Sequence, residues 1–226
     1  MQRYPGSENL GRSGARMNRY LVVEGNIGVG KTTLTQMLSK AWEVPTLYER
    51  FLENPFLPRF YEDPKRYAFS VETAFLAERY RQMHDEFEGF DLKKTGLLAD
   101  YSFYKSLIFA RRNLEADEFR LFSELFGIVN SKLPQPYLFV YLKTDTDKLL
   151  RNIAKRGRDF EQQITADYLE KIDAGYIDFM QNASGLRCLL VHTHQIDFVQ
   201  EPEHLHLLQK LLEADYKYGM TEITIR

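Results

Sequence analysis

Eight consecutive residues carry the plainest chemistry in this sequence. Gly25, Asn26, Ile27, Gly28, Val29, Gly30, Lys31 and Thr32 satisfy every position of the pattern G-x-x-x-x-G-K-[S/T], with an apolar run before them and helical spacing after. Glycines let a backbone curl until several N–H groups point at one anion, and the positive end of the following helix adds to the pull. In such a loop Lys31 bridges the β- and γ-phosphates of ATP, the Thr32 hydroxyl holds Mg²⁺, and Thr33 extends the cradle. The chemistry expected is phosphoryl transfer.

A second basic group, Lys155-Arg156-Gly157-Arg158, lies far along the chain. Taken alone it reads as a helix C-terminus with dipole-matched cations and a terminating glycine. Beside a phosphate loop another reading gains weight. Phosphoryl transfer has little covalent chemistry for a protein to do and needs positive charge on the migrating group, which guanidinium forks supply well. Arg156 and Arg158 are therefore expected to form an arginine-rich lid over the donor.

Carboxylates come next. Glu49 and Asp100 each follow a predicted strand. There they either serve the site, as a proton acceptor for a hydroxyl or a partner for Mg²⁺, or sit as solvated loop residues. On a long predicted helix Ala68, Glu72, Phe75, Leu76 and Arg79 share one face. Glu72 and Arg79 are two turns apart, about 10 Å, too far to pair directly. Either they reach water at the rim or each has another partner. The expectation is that they converge on a polar ligand lying across the helix.

The elements that must position these groups follow from pattern and punctuation. Short apolar runs predict strands over 19–24, 44–48, 97–100 and 137–142, and a last one near 189–192. Periodicity predicts helices over 31–42, 54–61, 64–88, 102–111, 116–132, 145–155 and 165–182, the third opening on Pro64. In the first, Leu34, Met37, Leu38 and Ala41 form the apolar stripe. Alternation of this kind implies an α/β P-loop kinase fold, a parallel sheet covered by helices on both faces. Ligands of such sheets sit beyond the carboxyl ends of the strands. Residues 17–226 read as one domain, preceded by a polar extension over 1–16 expected to be disordered.

Composition excludes several classes. The chain has 226 residues, is 44% hydrophobic and carries a net charge of −2, so neither a nucleic-acid polymer nor a membrane surface is an expected partner. No apolar run approaches the roughly 18–20 residues that span a bilayer. Cys188 is the single cysteine, which rules out an intramolecular disulfide and suits a reducing cytoplasm. His192 and His194, alternating on one strand face, lack a third ligand at metal spacing; His204 and His206 fall on an amphipathic helix.

Together these features resemble the deoxynucleoside kinase family across nearly all of residues 19–215. The matching segments are EGNIGVGKTTL (24–34), Glu49 after the second strand, FYEDPKRYAFSVETAFLAERY (60–80), ADYS (99–102) and RGRDFEQQITADYLEKI (156–172). The resemblance implies transfer of the γ-phosphoryl of a nucleoside triphosphate to the 5′-hydroxyl of a deoxynucleoside, and a homodimer. It implies Glu49 as general base, Tyr61 and Glu161 on the sugar 3′-hydroxyl, and Arg156 and Arg158 on the donor phosphates. Ile27, Leu57 and Val71 match apolar positions around the nucleoside, and Asp197-Phe198 the loop that cradles the donor base.

Two departures stand out. The family usually has Asp/Glu-Arg-Ser where this chain has Asp100-Tyr101-Ser102. A carboxylate for the Mg²⁺ region is kept, but a positive charge is lost. Lys105, expected on the same helix face as Tyr101, is the candidate replacement; Arg50 is also close to the base. Glu72 stands where the family often has a glutamine. An ionised glutamate can only accept, and guanine offers two adjacent donors, so with Arg79 on O6 and N7 deoxyguanosine is the expected substrate. A nucleoside monophosphate kinase and a non-catalytic nucleotide-binding protein are the alternatives. The first calls for further arginines on an acceptor phosphate, and the second needs no acceptor base.

Overall fold

The computed structural model describes residues 19–49, 54–92, 94–158, 161 and 164–225, with the backbone alone at Tyr61. The expected extension over 1–16, Arg50 and the Tyr61 side chain lie outside the described residues.

All strand pairings are parallel, and the strands lie in the order β2-β3-β1-β4-β5-β6. They are β1 (Tyr20–Gly25), β2 (Thr46–Leu47), β3 (Leu97–Ala99), β4 (Leu138–Lys143), β5 (Arg187–His192) and β6 (Gly219–Thr224). The central strands are mostly apolar because both faces are covered, with Glu24 of β1 the buried exception. Tyr20 and Val22 of β1, Phe139 and Tyr141 of β4, and Cys188 and Leu190 of β5 enter one core. Leu21, Val23, Leu138, Val140, Leu189 and Val191 enter the other. The strand period of two thus divides each sequence run between two cores.

Helices α3 (Pro64–Phe87), α4 (Tyr104–Asn113), α5 (Ala116–Asn130) and α7 (Ala166–Asn182) cover the first face. Helices α1 (Lys31–Trp42), α6 (Thr146–Arg156) and α8 (Pro202–Glu213) cover the second. The short α2 (Leu57–Glu62) packs on α3. Among the described residues no helix is long and apolar enough to cross a membrane.

Helix α1 has the expected bounds, but its stripe is rotated: Ala41 is exposed, and Trp42 is buried with its Nε1–H on Glu213 at 2.7 Å. The strand at 187–192 is not the last. Gly219–Thr224 adds a sixth, paired with β5 from Arg187↔Gly219 to His192↔Thr224. His192 meets Glu222 of that strand at 2.6 Å, whereas His194 lies past the end of β5, so the two histidines do not share a strand face. β1 lies between β3 and β4, where the strand order turns. Such a switch point opens a crevice at the carboxyl ends of the strands, and the glycine loop begins there.

Candidate active site

Gly25 ends β1 at a point where a side chain is impossible. A Cβ there would lie 2.7 Å from the Leu142 carbonyl oxygen of β4. Gly30 caps α1 in the left-handed region (φ 96°) and offers no side chain to the first turn, leaving its N–H groups to an anion. Lys31 Nζ folds back onto the loop, donating to the carbonyls of Gly25 (2.8 Å) and Asn26 (3.2 Å). Burial, with the Lys105 ammonium next, pushes the Lys31 amine below its ordinary range. Thr32 and Thr33 are exposed at the start of α1.

Asn26 and Val29 belong to the loop, but their side chains face protein. Asn26 Nδ2 donates to the Leu169 carbonyl (2.7 Å) and Asp173 Oδ1 (2.9 Å) on α7, while its Oδ1 accepts from the Ile27 N–H (2.9 Å). Val29 is in the core. Only their backbones are available to a donor.

Asp100 joins two strand ends. Thr32 Oγ1 donates to its Oδ2 at 2.6 Å, and the Glu49 N–H donates to its Oδ1 at 2.8 Å. Glu49 in turn stands between two cations, Oε2 at 2.6 Å from Lys105 Nζ and Oε1 at 3.3 Å from Arg79 Nη2. Burial alone would raise this carboxyl; Lys105 and then Arg79 overcome it and hold it at about 2.

Tyr101 does not share a helix face with Lys105. It precedes α4, is fully buried in the core, and its hydroxyl has no hydrogen-bond partner among the described residues. Lys105 reaches the site from the first turn of α4 on its own account.

Sequence reasoning missed Glu24. This fully buried carboxylate accepts from the Ser102 N–H (2.8 Å) and the Tyr176 hydroxyl (3.1 Å), tying the 100–102 turn to β1 and α7. Burial raises its carboxyl, against the pull of Lys105 and Lys31. Its signal was a charge inside an apolar strand run.

Glu72 and Arg79 are both buried, not at the rim, and each has the separate partner that burial requires. Glu72 Oε1 accepts from Asn113 Nδ2 at 2.6 Å; Arg79 Nη1 donates to Ser106 Oγ at 3.0 Å. Burial raises the Glu72 carboxyl, while Asn113 and Arg79 pull it back. Val71 is buried beside them and Leu57 and Ile27 are half-buried.

The basic cluster ends α6 as expected, with Gly157 at φ 67° as its cap. Its arginines point at Glu161. Arg156 Nε lies 3.0 Å from Glu161 Oε2 and Arg158 Nη1 lies 3.4 Å from Oε1. Phe198 packs on the glycine loop, since a Cβ at Gly30 would sit 3.0 Å from its ring. Asp197 Oδ1 instead accepts from the N–H groups of Val199 and Gln200, both at 3.0 Å. No group of three acidic, histidine or cysteine side chains able to hold a metal occurs among the described residues.

A parallel sheet, a phosphate loop after β1 and basic groups gathered at the same end define a P-loop phosphotransferase. Residues 21–213 match the deoxynucleoside kinase family. The deoxyguanosine kinase of Bacillus subtilis (strain 168) is 37% identical over 184 residues, 80% of this chain and 89% of that protein. The deoxyadenosine/deoxycytidine kinase of the same strain is 29% identical over 192 residues, 81% of this chain and 87% of the relative. The solved structure of deoxyadenosine kinase from M. mycoides with bound dATP has a TM-score of 0.69 at 21% identity, covering 86% of this chain and 100% of that one. The chain belongs to the deoxynucleoside kinase family and is an enzyme, a phosphotransferase of deoxynucleosides.

Proposed function

We propose that this enzyme transfers the γ-phosphoryl group of ATP to the 5′-hydroxyl of a purine deoxynucleoside, with deoxyguanosine preferred. The observation that carries the base preference is the buried carboxylate of Glu72, with Arg79 seven residues along the same helix. An ionised carboxylate complements the N1–H and 2-amino donors of guanine; each other base leaves a mismatch of about 1–3 kcal/mol. Arg79 has five N–H donors and, among the described residues, spends one each on Ser106 and Glu49, which leaves others for O6 and N7. The relatives' names divide among bases, so the base preference rests on Glu72.

Glu49 is the acceptor of the hydroxyl proton in this reading. Its two cations keep it ionised, and it orients the hydroxyl for a loose transition state that asks little of a strong base. Lys31 and Lys105 supply charge at the migrating group. Arg156 and Arg158 leave Glu161 for the donor phosphates, which frees Glu161 to join Tyr61 on the sugar hydroxyl. Ile27, Leu57 and Val71 wall the nucleoside, and Asp197-Phe198 the donor base.

Thr32 Oγ1 and Asp100 Oδ2 are hard oxygen donors 2.6 Å apart beside the phosphate loop, a pair that fits Mg²⁺. When bound, the ion neutralises charge on the donor phosphates. The free, buried Cys188 suits the reducing cytoplasm, to which we assign the enzyme.

The test is kcat/KM for the four deoxynucleosides, for the native enzyme and for Glu72→Gln. Deoxyguanosine should lead and should lose its lead in the variant; an unchanged order removes Glu72 as the reader. ADP release that depends on added deoxynucleoside, and not on a monophosphate, separates this activity from its enzymatic rival.

A further inference from the structure

We propose that Asn113 positions Glu72 and thereby sets which nucleobase the enzyme reads, an inference that rests on the Glu72 reading above. Glu72 and Arg79 are seven residues apart on α3; Ser106 and Asn113 are seven apart on α4. The contacts pair first with last, Glu72 with Asn113 at 2.6 Å and Arg79 with Ser106 at 3.0 Å. The two helices therefore run antiparallel here and are joined by two polar rungs about 10 Å apart. Each rung puts a neutral group of α4 on a charged group of α3.

Neutrality matters at the Glu72 rung. An arginine or lysine there would spread over both carboxylate oxygens and cancel the charge. An amide occupies one lone pair of one oxygen. An ionised carboxylate only accepts, so Asn113 must present its N–H, which fixes the amide orientation by chemistry. Oε1 keeps a second lone pair, and no described residue donates to Oε2. Two adjacent acceptor sites are left, locked in one plane, and two adjacent acceptors are what the N1–H and 2-amino groups of guanine require. Nothing in the motifs of the chain marks Asn113, and no other described side chain donates to Glu72.

The same rung predicts the behaviour of a glutamine at 72. A neutral amide at 72 no longer fixes Asn113, which can donate to the glutamine carbonyl or accept from its N–H groups, so the glutamine is free to turn its N–H groups towards the base. Those N–H groups would face the donors of guanine. An aspartate at 113 can only accept, and would fix the glutamine with its N–H groups on α4 and its carbonyl towards the base.

The experiment measures kcat/KM for deoxyguanosine and deoxyadenosine in Asn113→Leu, Glu72→Gln and the double variant Glu72→Gln/Asn113→Asp, with thermal unfolding of each. Asn113→Leu should lower the deoxyguanosine-to-deoxyadenosine ratio about tenfold or more, chiefly through KM for deoxyguanosine. Adding Asn113→Asp to Glu72→Gln should recover about threefold or more of the deoxyguanosine activity lost, a rescue that no merely structural role produces. If Glu72→Gln alters the base order but Asn113→Leu leaves the ratio unchanged, or Asn113→Asp rescues nothing, the role of Asn113 is overturned and Glu72 survives as reader. If Glu72→Gln leaves the order unchanged, the reading beneath it falls as well. Should Asn113→Leu fail to fold, the double variant decides alone.

Discussion

The Lys105 ammonium touches the Glu49 carboxylate at 2.6 Å, in a chain that has the buried phenol of Tyr101 where the resemblance implied an arginine. If Lys105 supplies the missing charge, Lys105→Ala should lower kcat about 10²-fold, the scale of losing one charge-stabilising donor. A kcat within about twofold of native would end the idea. The same pair has a pH signature. Glu49 titrates at about 2 when folded against an ordinary 4.5, so its stabilising contribution is present above the ordinary value and lost as pH falls towards 2. Lys105→Ala lets that carboxyl rise. The stability gap between native and variant, read from urea midpoints, should therefore be widest at neutral pH and narrow between pH 4.5 and 2. A gap independent of pH would mean that the pair is not what holds Glu49 ionised. Lys105 was legible from its distance in sequence to Tyr101, although not through a shared helix face, since Tyr101 precedes α4. Ser106 and Asn113 were not legible. They are neutral residues on an ordinary helix, and only the crossing of α3 and α4 gives them partners.

At the scale of elements, α6 holds two loops that the proposed function assigns to the donor. Lys148 Nζ lies 2.8 Å from the Ile196 carbonyl, with those of Thr193 and His194 at 3.4 and 3.5 Å, and so holds the loop that carries Asp197 and Phe198. One turn on, Asn152 Nδ2 donates to the Gly28 carbonyl at 2.8 Å, and the helix ends on Arg156. One helix thus contacts both the glycine loop and the loop of Asp197 and Phe198, and ends on the arginine proposed for the donor phosphates. Lys148→Met keeps the stem and removes the three donors. It should raise KM for ATP about fivefold while leaving KM for the deoxynucleoside unchanged, because Lys148 touches none of the groups assigned above to the deoxynucleoside. Initial rates with each substrate varied in turn check this; equal changes in both would point to general loosening. Helices of this length announce themselves by period, and all of those expected are present. β6 gave no such signal. Its residues are half-buried or exposed, its register comes entirely from pairing with β5, and a parallel edge strand so formed has no local pattern to read.

For the whole molecule, we propose a homodimer that covers an apolar stripe left on one helix. α5 buries Phe122 and Phe126 in the core, and on its other face Leu121, Leu125 and Ile128 are 49%, 36% and 65% exposed. They fall at i, i+4 and i+7, one stripe along the helix. A helix apolar on two faces is expected to be covered on both, and no described residue covers the second. In the proposed dimer a second copy would supply that cover with matched chemistry, because a twofold axis would lay the stripe against itself. Each side chain fully removed from water would contribute about 1.5–3 kcal/mol, which suits this stripe to the centre of an interface of the ordinary size, roughly 800 Å² per partner. Leu121→Glu with Ile128→Glu sets like charges across that axis. Sedimentation velocity at micromolar concentration should give a dimer for the native enzyme and a folded monomer for the variant. A native monomer, or a variant that still pairs, would move the interface elsewhere. Because α5 follows α4, and α4 carries Lys105, Ser106 and Asn113, the monomeric variant should also show a weaker preference among bases if packing at α5 steadies the rungs on α3.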